Sequence, residues 1–154
     1  MHANFMTESR NISIAVLLLT AVLQPGPSIA AGALAIGLPA DVARVGFAAG
    51  HATNAADMND ARQRAIDGCH KSMNASDAAR KLCKVVATFH DSCFAVAIDP
   101  KSGTPGVGWA IAENLELADK QAIEQCRTTA GPARRDFCVI LDPPHDHGCD
   151  GSAK

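Results

Sequence analysis

Tyrosine is absent, Trp occurs once and Phe five times in 154 residues. The apolar share is nevertheless 47%, which excludes a disordered chain. Much of it is light, because 29 residues are Ala. A core built from Ala removes little apolar area from water per residue. Excess charge of one sign is also missing: 14 Lys and Arg oppose 16 Asp and Glu, a formal charge of −2. That balance excludes a strongly basic nucleic-acid grip and a polybasic membrane patch. No C-x-x-C spacing occurs among the six Cys, so a dithiol redox motif is not expected. No apolar run reaches the roughly 20 residues that a membrane-spanning helix needs.

The run that comes nearest lies at residues 12–23 (ISIAVLLLTAVL), twelve residues long. A polar leader with one Arg precedes it, and Gln24-Pro25-Gly26-Pro27 breaks it. Ser28-Ile29-Ala30 then places small residues where a signal peptidase reads. Residues 1–30 are therefore expected to be a secretory signal peptide, cleaved after Ala30 or Ala31. Cleavage after Ala30 leaves 124 residues, all six Cys and an unchanged charge of −2. No Cys stands immediately after the cleavage site, so a lipid anchor is not expected. The product is expected to be periplasmic or secreted, with no membrane span after cleavage.

The remaining chain carries an internal repeat. ARQRAIDGC at residues 61–69 and ADKQAIEQC at 118–126 share A-x-x-x-A-I-[DE]-x-C at an offset of 57. Asp57 and Asn114 precede them as N-cap residues. Upstream, Gly46-Phe47-Ala48 matches Gly108-Trp109-Ala110 and Ala35-Ile36 matches Ala97-Ile98, both at an offset of 62. On this alignment the first copy holds about five extra residues within 51–56. Cys83 pairs with Cys138 and Cys93 with Cys149, so each copy owns three Cys. The copies span about 32–93 and 94–149 of a single exported domain, residues 31–154.

Each copy reads as strand, strand, helix, strand. Strands are expected at 33–38, 44–49 and 83–89, then at 94–98, 107–112 and 137–141. A Pro-containing turn separates the first two, and DPKSGTPG at 99–106 is rich in turn formers. Met58, Ala61, Ala65, Ile66 and Cys69 make one face of the first helix, and Leu115, Ala118, Ala122, Ile123 and Cys126 one face of the second. Residues 71–81 and 127–136 read as exposed loops, and the tail from 143 as irregular. The expected class is α+β: a duplicated ββαβ unit, two helices on a mainly antiparallel sheet, stapled by disulfides.

An exported chain with six Cys reads as a disulfide framework, and six Cys allow 15 pairings. The duplication favours Cys69–Cys83 and Cys126–Cys138, each clipping a helix end to a strand start. A loop of about 15 residues gives roughly 3 kcal/mol per bond in the chain-entropy model. Cys93 and Cys149 then remain for each other, linking the copies.

Other residues offer chemistry without assembling it. His145 and His147, in the tail His145-Asp146-His147-Gly148-Cys149-Asp150, are metal-ligand types two residues apart. No fourth ligand is specified elsewhere, and the repeat claims Cys149. His90-Asp91-Ser92 are acyl-transfer residue types, but neighbours on an extended strand end point apart. Phe47 and Trp109 read as core residues under the helices. Asp60, Arg62, Arg64 and Asp67 read as a solvated helix face. Gly106-Val107-Gly108 lacks a phosphate-loop continuation, Arg134-Arg135 is a weak anion signal, and Asn74-Ala75-Ser76 is a glycosylation pattern that has no role if the source is bacterial. No active-site constellation emerges, and no cofactor is expected.

These motifs together resemble a bacterial secreted family, domain of unknown function 4189. The residues that carry the resemblance are Gly32-Ala33-Leu34-Ala35-Ile36, Gly46-Phe47-Ala48, residues 61–69, Cys83-Lys84-Val85-Val86, residues 94–98, Gly108-Trp109-Ala110, residues 118–126 and Cys138-Val139. It spans about residues 32–149. It implies a small, exported, Cys-rich fold with no catalytic residues to transfer, and contacts with a host or a cell envelope. The chain departs from the family pattern in residues 71–81 and in its HDHGC tail. The expected function is a non-catalytic binding module with a protein or cell-envelope partner, of inhibitor or immunity type. A small secreted effector or hydrolase using His90 or His145 and His147 is one alternative, and a metal-handling protein is another.

Overall fold

A computed structural model describes residues 30–73, 75–141 and 147–153. Residues 1–29 of the expected signal peptide, Asn74 and His145 lie outside the described residues. Elements run in the order β1 (Ala31–Gly37), α1 (Val42–Val45), β2 (Ala48–Ala55), α2 (Met58–His70), α3 (Asp77–Arg80), β3 (Lys84–Phe89), β4 (Cys93–Ile98), β5 (Val107–Ala112), α4 (Leu115–Ala130), a 3-10 turn (Arg135–Phe137), β6 (Val139–Ile140) and β7 (His147–Cys149). The class is α+β with antiparallel pairing throughout.

Two sheets form rather than one. The first has the order β2-β1-β3; the second has the order β5-β4-β6, with β7 following β6 along the same edge of β4. The alternation of side chains along β1 and β4 decides how they stack. Ala33 and Ala35 face α2, together with Ala61, Ala65 and Cys69. Ala95 and Ala97 face α4, together with Ala118, Ala122 and Cys126. The opposite faces carry Leu34 and Ile36, Phe94 and Val96, which meet with Phe89 in a third cluster between the sheets. The result is four layers: helix, sheet, sheet, helix. Large side chains fill the central layer and small ones the two outer layers. Phe47 and Trp109 pack against the central cluster rather than under the helices. They belong there because the helix-facing layers are too thin for rings.

That thinness is set by glycine. A Cβ on Gly50 of β2 would lie 2.0 Å from the Cys69 backbone N and 2.4 Å from the Ala65 O of α2. A Cβ on Gly108 of β5 would lie 2.4 Å from the Cys126 N and 2.2 Å from the Ala122 O of α4. Only Gly lets helix backbone rest on strand backbone so closely. The two sets of contacts match residue for residue, so Gly50 and not Gly46 is the spatial counterpart of Gly108. The ladders agree: Ala35 faces Gly50, and Ala97 faces Gly108. The alignment of residues 46–48 with 108–110 is thereby corrected, and His51 occupies the place of Trp109. His51 stacks on Phe94 with ring centroids 4.4 Å apart.

The extra residues of the first half also move. Fifteen positions separate Ala35 from Gly50, and eleven separate Ala97 from Gly108, so four of them lie in the β1–β2 connection that holds α1. The fifth is a bulge in β2, where the register shifts opposite Ala31 and Ala33. Asn54 supplies it with a left-handed φ of 51°.

Three further corrections concern segments read as strand or loop. Arg44 and Val45 close the short helix α1 and β2 starts only at Ala48, because Asp41 caps the helix and Gly46 ends it at φ 78°. The polar stretch 71–81 contains α3, which buries Ala79. The tail, expected to be irregular, contains β7, since Cys149 faces Cys93 across the ladder.

The disulfides are Cys69–Cys83, Cys93–Cys149 and Cys126–Cys138. The first and third clip α2 and α4 to the strands that follow. The second joins β4 to β7 inside one sheet, so it does not link the halves. By register, Ala31 and the residue after Phe89 stand where Cys93 and Cys149 stand in the other half. The first half therefore owns two Cys and the second four.

Candidate functional site

The structure diverges most between its halves where α1 is inserted, and a cleft opens there. It has a volume of about 690 Å³. Its floor is the open end of the central layer: Phe47 just before β2, Ala49 from β2, Ile98 from β4, and Leu141 beyond β6. Val42 and Val45 of α1 form one wall, and the β4–β5 turn forms the other, with Lys101, Ser102, Gly103 and Thr104. Ser72, Met73 and Ser76 from the α2–α3 connection complete the rim. Met73 is 92% exposed, a large apolar side chain standing in water beside the cleft. Local hydrogen bonds fix both walls. Asp41 accepts from the Arg44 backbone N–H at 3.1 Å and from its guanidinium at 3.1 Å. Across the cleft, Thr104 donates its hydroxyl to the Lys101 carbonyl at 2.7 Å.

Asp99 anchors the second wall. Its side chain is fully buried, accepts the Lys101 N–H at 3.0 Å, and holds Arg134 through two bonds of 2.8 and 2.6 Å. The guanidinium in turn lies 4.1 Å over the Phe137 ring. Hydrogen bonding from Arg134 is the main reason the Asp99 carboxyl falls from 3.8 to about 2; burial opposes it, and the Lys101 N–H adds to it. The Arg134 guanidinium is correspondingly pushed up by Asp99. Because the folded value lies below the unfolded one, the pair's contribution is complete above about pH 4 and is lost as pH falls towards 2. An Arg134→Met variant should therefore lose less of its urea midpoint than the unaltered protein when pH is lowered from 4 to 2. Equal losses would show that the pair adds nothing. Arg134 thus serves a loop anchor, and the bidentate geometry leaves it less available to an outside anion.

The other residues singled out from sequence lie apart from the cleft. His147 sits in β7, and its Nδ1 is 3.0 Å from the Asp119 Oδ1 of α4. His90 is exposed, with its Nδ1 3.9 Å from the Asp91 Oδ2. Ser92 donates its hydroxyl to the His90 backbone carbonyl at 3.0 Å, so its proton is committed to backbone and not to the ring. His90 and His147 have different partners and do not share a site. Among the described residues no group of three or more His, Cys, Asp or Glu is placed to hold a metal ion. All six Cys are oxidised, leaving no free thiol. No helix among the described residues is long and apolar enough to cross a membrane.

Sequence reasoning missed the cleft and the Asp99–Arg134 pair. The pair spans 35 residues and has no local signature. The one usable signal was an Asp opening a turn-rich segment, a position where a carboxylate caps the backbone it precedes.

No curated protein and no solved structure matches the chain. The family model for a domain of unknown function (DUF4189) matches residues 31–142, from the first residue of β1 to just past β6. That span takes in β1 to β6, both long helices and the whole cleft, and stops short of β7. The chain belongs to the DUF4189 family.

Proposed function

We propose that the protein is an exported, disulfide-stapled, non-catalytic binding module whose ligand seats in the cleft between α1 and the β4–β5 turn. The observation that carries this reading is where the two halves differ. Everything they share serves helix–sheet packing, and the largest insertion, α1, builds a cleft wall. Loops on a rigid scaffold are where binding residues concentrate. An apolar floor with a hydroxyl-lined rim suits a protein segment or an envelope component better than nucleic acid. Three disulfides support a periplasmic or extracellular setting, where such bonds persist.

The test is an NMR titration of the oxidised, ¹⁵N-labelled protein with fractionated periplasmic extract. The expected result is amide shifts confined to Val45, Gly46, Gly103 and Gly106, absent in a Val45→Arg variant that places a long cation in the cleft. Shifts centred on His90 or His147 instead would favour an effector that uses those histidines. Shifts that survive Val45→Arg unchanged would overturn the reading.

A further inference from the structure

The end of the molecule opposite the cleft holds a carboxylate with an unmet need. Asp150 is 0% exposed. Its Oδ1 accepts the Asn54 backbone N–H at 2.6 Å, while its Oδ2 is buried with no hydrogen-bond partner among the described residues. A buried carboxylate left half satisfied is costly unless a cation or donor meets it. The backbone around it is tied down. Its own N–H donates to the Ser92 carbonyl at 2.9 Å, and the Gly151 N–H donates to the Asn54 Oδ1 at 3.2 Å.

Asn54 immediately precedes Ala55, and Ala55 is the residue that faces Ala31 across the β1–β2 ladder. Ala31 is 3% exposed, so the first residue of β1 is itself buried, opposite the neighbour of the residue whose N–H meets Asp150. If the leader is cut after Ala30, that residue bears an α-ammonium. A buried ammonium needs an anion as much as a buried carboxylate needs a cation. We propose that Asp150 is the internal counter-ion for the α-ammonium that cleavage after Ala30 creates on Ala31. Removal of the leader then completes the fold, and the ion pair ties β1 to the segment that follows β7. The proposal rests on the export reading. The peptide bond between Ala30 and Ala31 is hydrolysed, Ala30 keeps the new carboxylate, and the new amine takes a proton from water.

Two other charged groups lie at this end. Asp91 accepts the Ser152 N–H and hydroxyl through its Oδ1, both at 3.0 Å, and is held below the usual carboxylate range, chiefly by the Ser152 N–H. His90 precedes it and is exposed. Asp91 is the rival counter-ion, and its own partners are already in place.

The test begins with the N-terminus of the exported protein, read by mass spectrometry. Ala31 is expected. An uncut chain would overturn both the export reading and the proposal, while a start at Gly32 would overturn the proposal alone. The α-amino group of the mature protein is then titrated by NMR after ¹³C reductive methylation. It should titrate at least one unit above its ordinary value of about 8. Asp91→Asn should leave that value in place, and Asp150→Asn should return it to the ordinary range. An ordinary value in the unaltered protein overturns the proposal, whether or not Asp150→Asn folds. As a separate arm, a Met-Gly-Ser extension ahead of Ala31 should lower Tm by several degrees when Asp150 is present. It should change little in the Asp150→Asn background. An equal Tm loss in both backgrounds would also count against the pair.

Discussion

Reduction with excess dithiothreitol at neutral pH and 25 °C is expected to unfold this protein without added denaturant. The reason is the weight of the core. Sixteen of the 25 buried apolar residues among those described are Ala, and the large ones are confined to one layer between the sheets. Burying an Ala methyl yields a fraction of the roughly 1.5–3 kcal/mol that a Leu or Phe gives. The disulfides offset that shortfall. Sequence separations of 14, 12 and 56 give about 3, 3 and 4 kcal/mol in the chain-entropy model. Taken together this is comparable to the roughly 5–15 kcal/mol of net stability of an ordinary domain. Far-ultraviolet circular dichroism should lose its helical signal on reduction and regain it on reoxidation. A reduced protein that keeps its spectrum and a cooperative thermal transition would show that the Ala-built layers suffice alone.

The second large effect belongs to two methyl groups. Gly50→Ala and Gly108→Ala each place a Cβ within 2.0 to 2.4 Å of helix backbone. Backbone cannot swing aside as a side chain can, so the helix must lift from the sheet. Overpacking of this sort costs about 1–3 kcal/mol and sometimes more. These two sites should lie at or above the upper end, because lifting a helix also opens its Ala layer. Gly46→Ala is the control: nothing lies within 4 Å of its Cβ, and only its φ of 78° opposes the change. Urea unfolding should rank Gly50→Ala and Gly108→Ala as the most damaging and Gly46→Ala as mild. Equal effects at all three would mean that strain at positive φ, and not helix–sheet approach, decides.

The elements that could be read in the sequence were those with local periodicity. Residues 107–112 form β5 as expected, and the anchor A-x-x-x-A-I-[DE]-x-C marks α2 and α4, because the same face of each turns to a sheet. What failed were inferences that needed distance in space. Gly46-Phe47-Ala48 looks like Gly108-Trp109-Ala110, yet it sits where α1 meets β2, and Gly50 takes the packing role because it lies under Ala65 and Cys69. Cys93 and Cys149 look like equivalents in two copies, but they face each other in one sheet. A single layer of strands was expected because alternation alone does not say whether Leu34 and Phe94 look at solvent or at each other. The cleft was illegible for the same reason. Its walls come from a Pro-containing connection, a turn and an α2–α3 loop that meet only after folding.

A light, Ala-built fold is closed by three specific disulfides. The most direct measurement is peptide mapping of the exported protein under non-reducing, thiol-blocked conditions. Cys69 should be found joined to Cys83, Cys93 to Cys149 and Cys126 to Cys138, with no labelled thiol. Labelled thiols in the folded protein, or Cys93 and Cys149 joined to other partners, would contradict it.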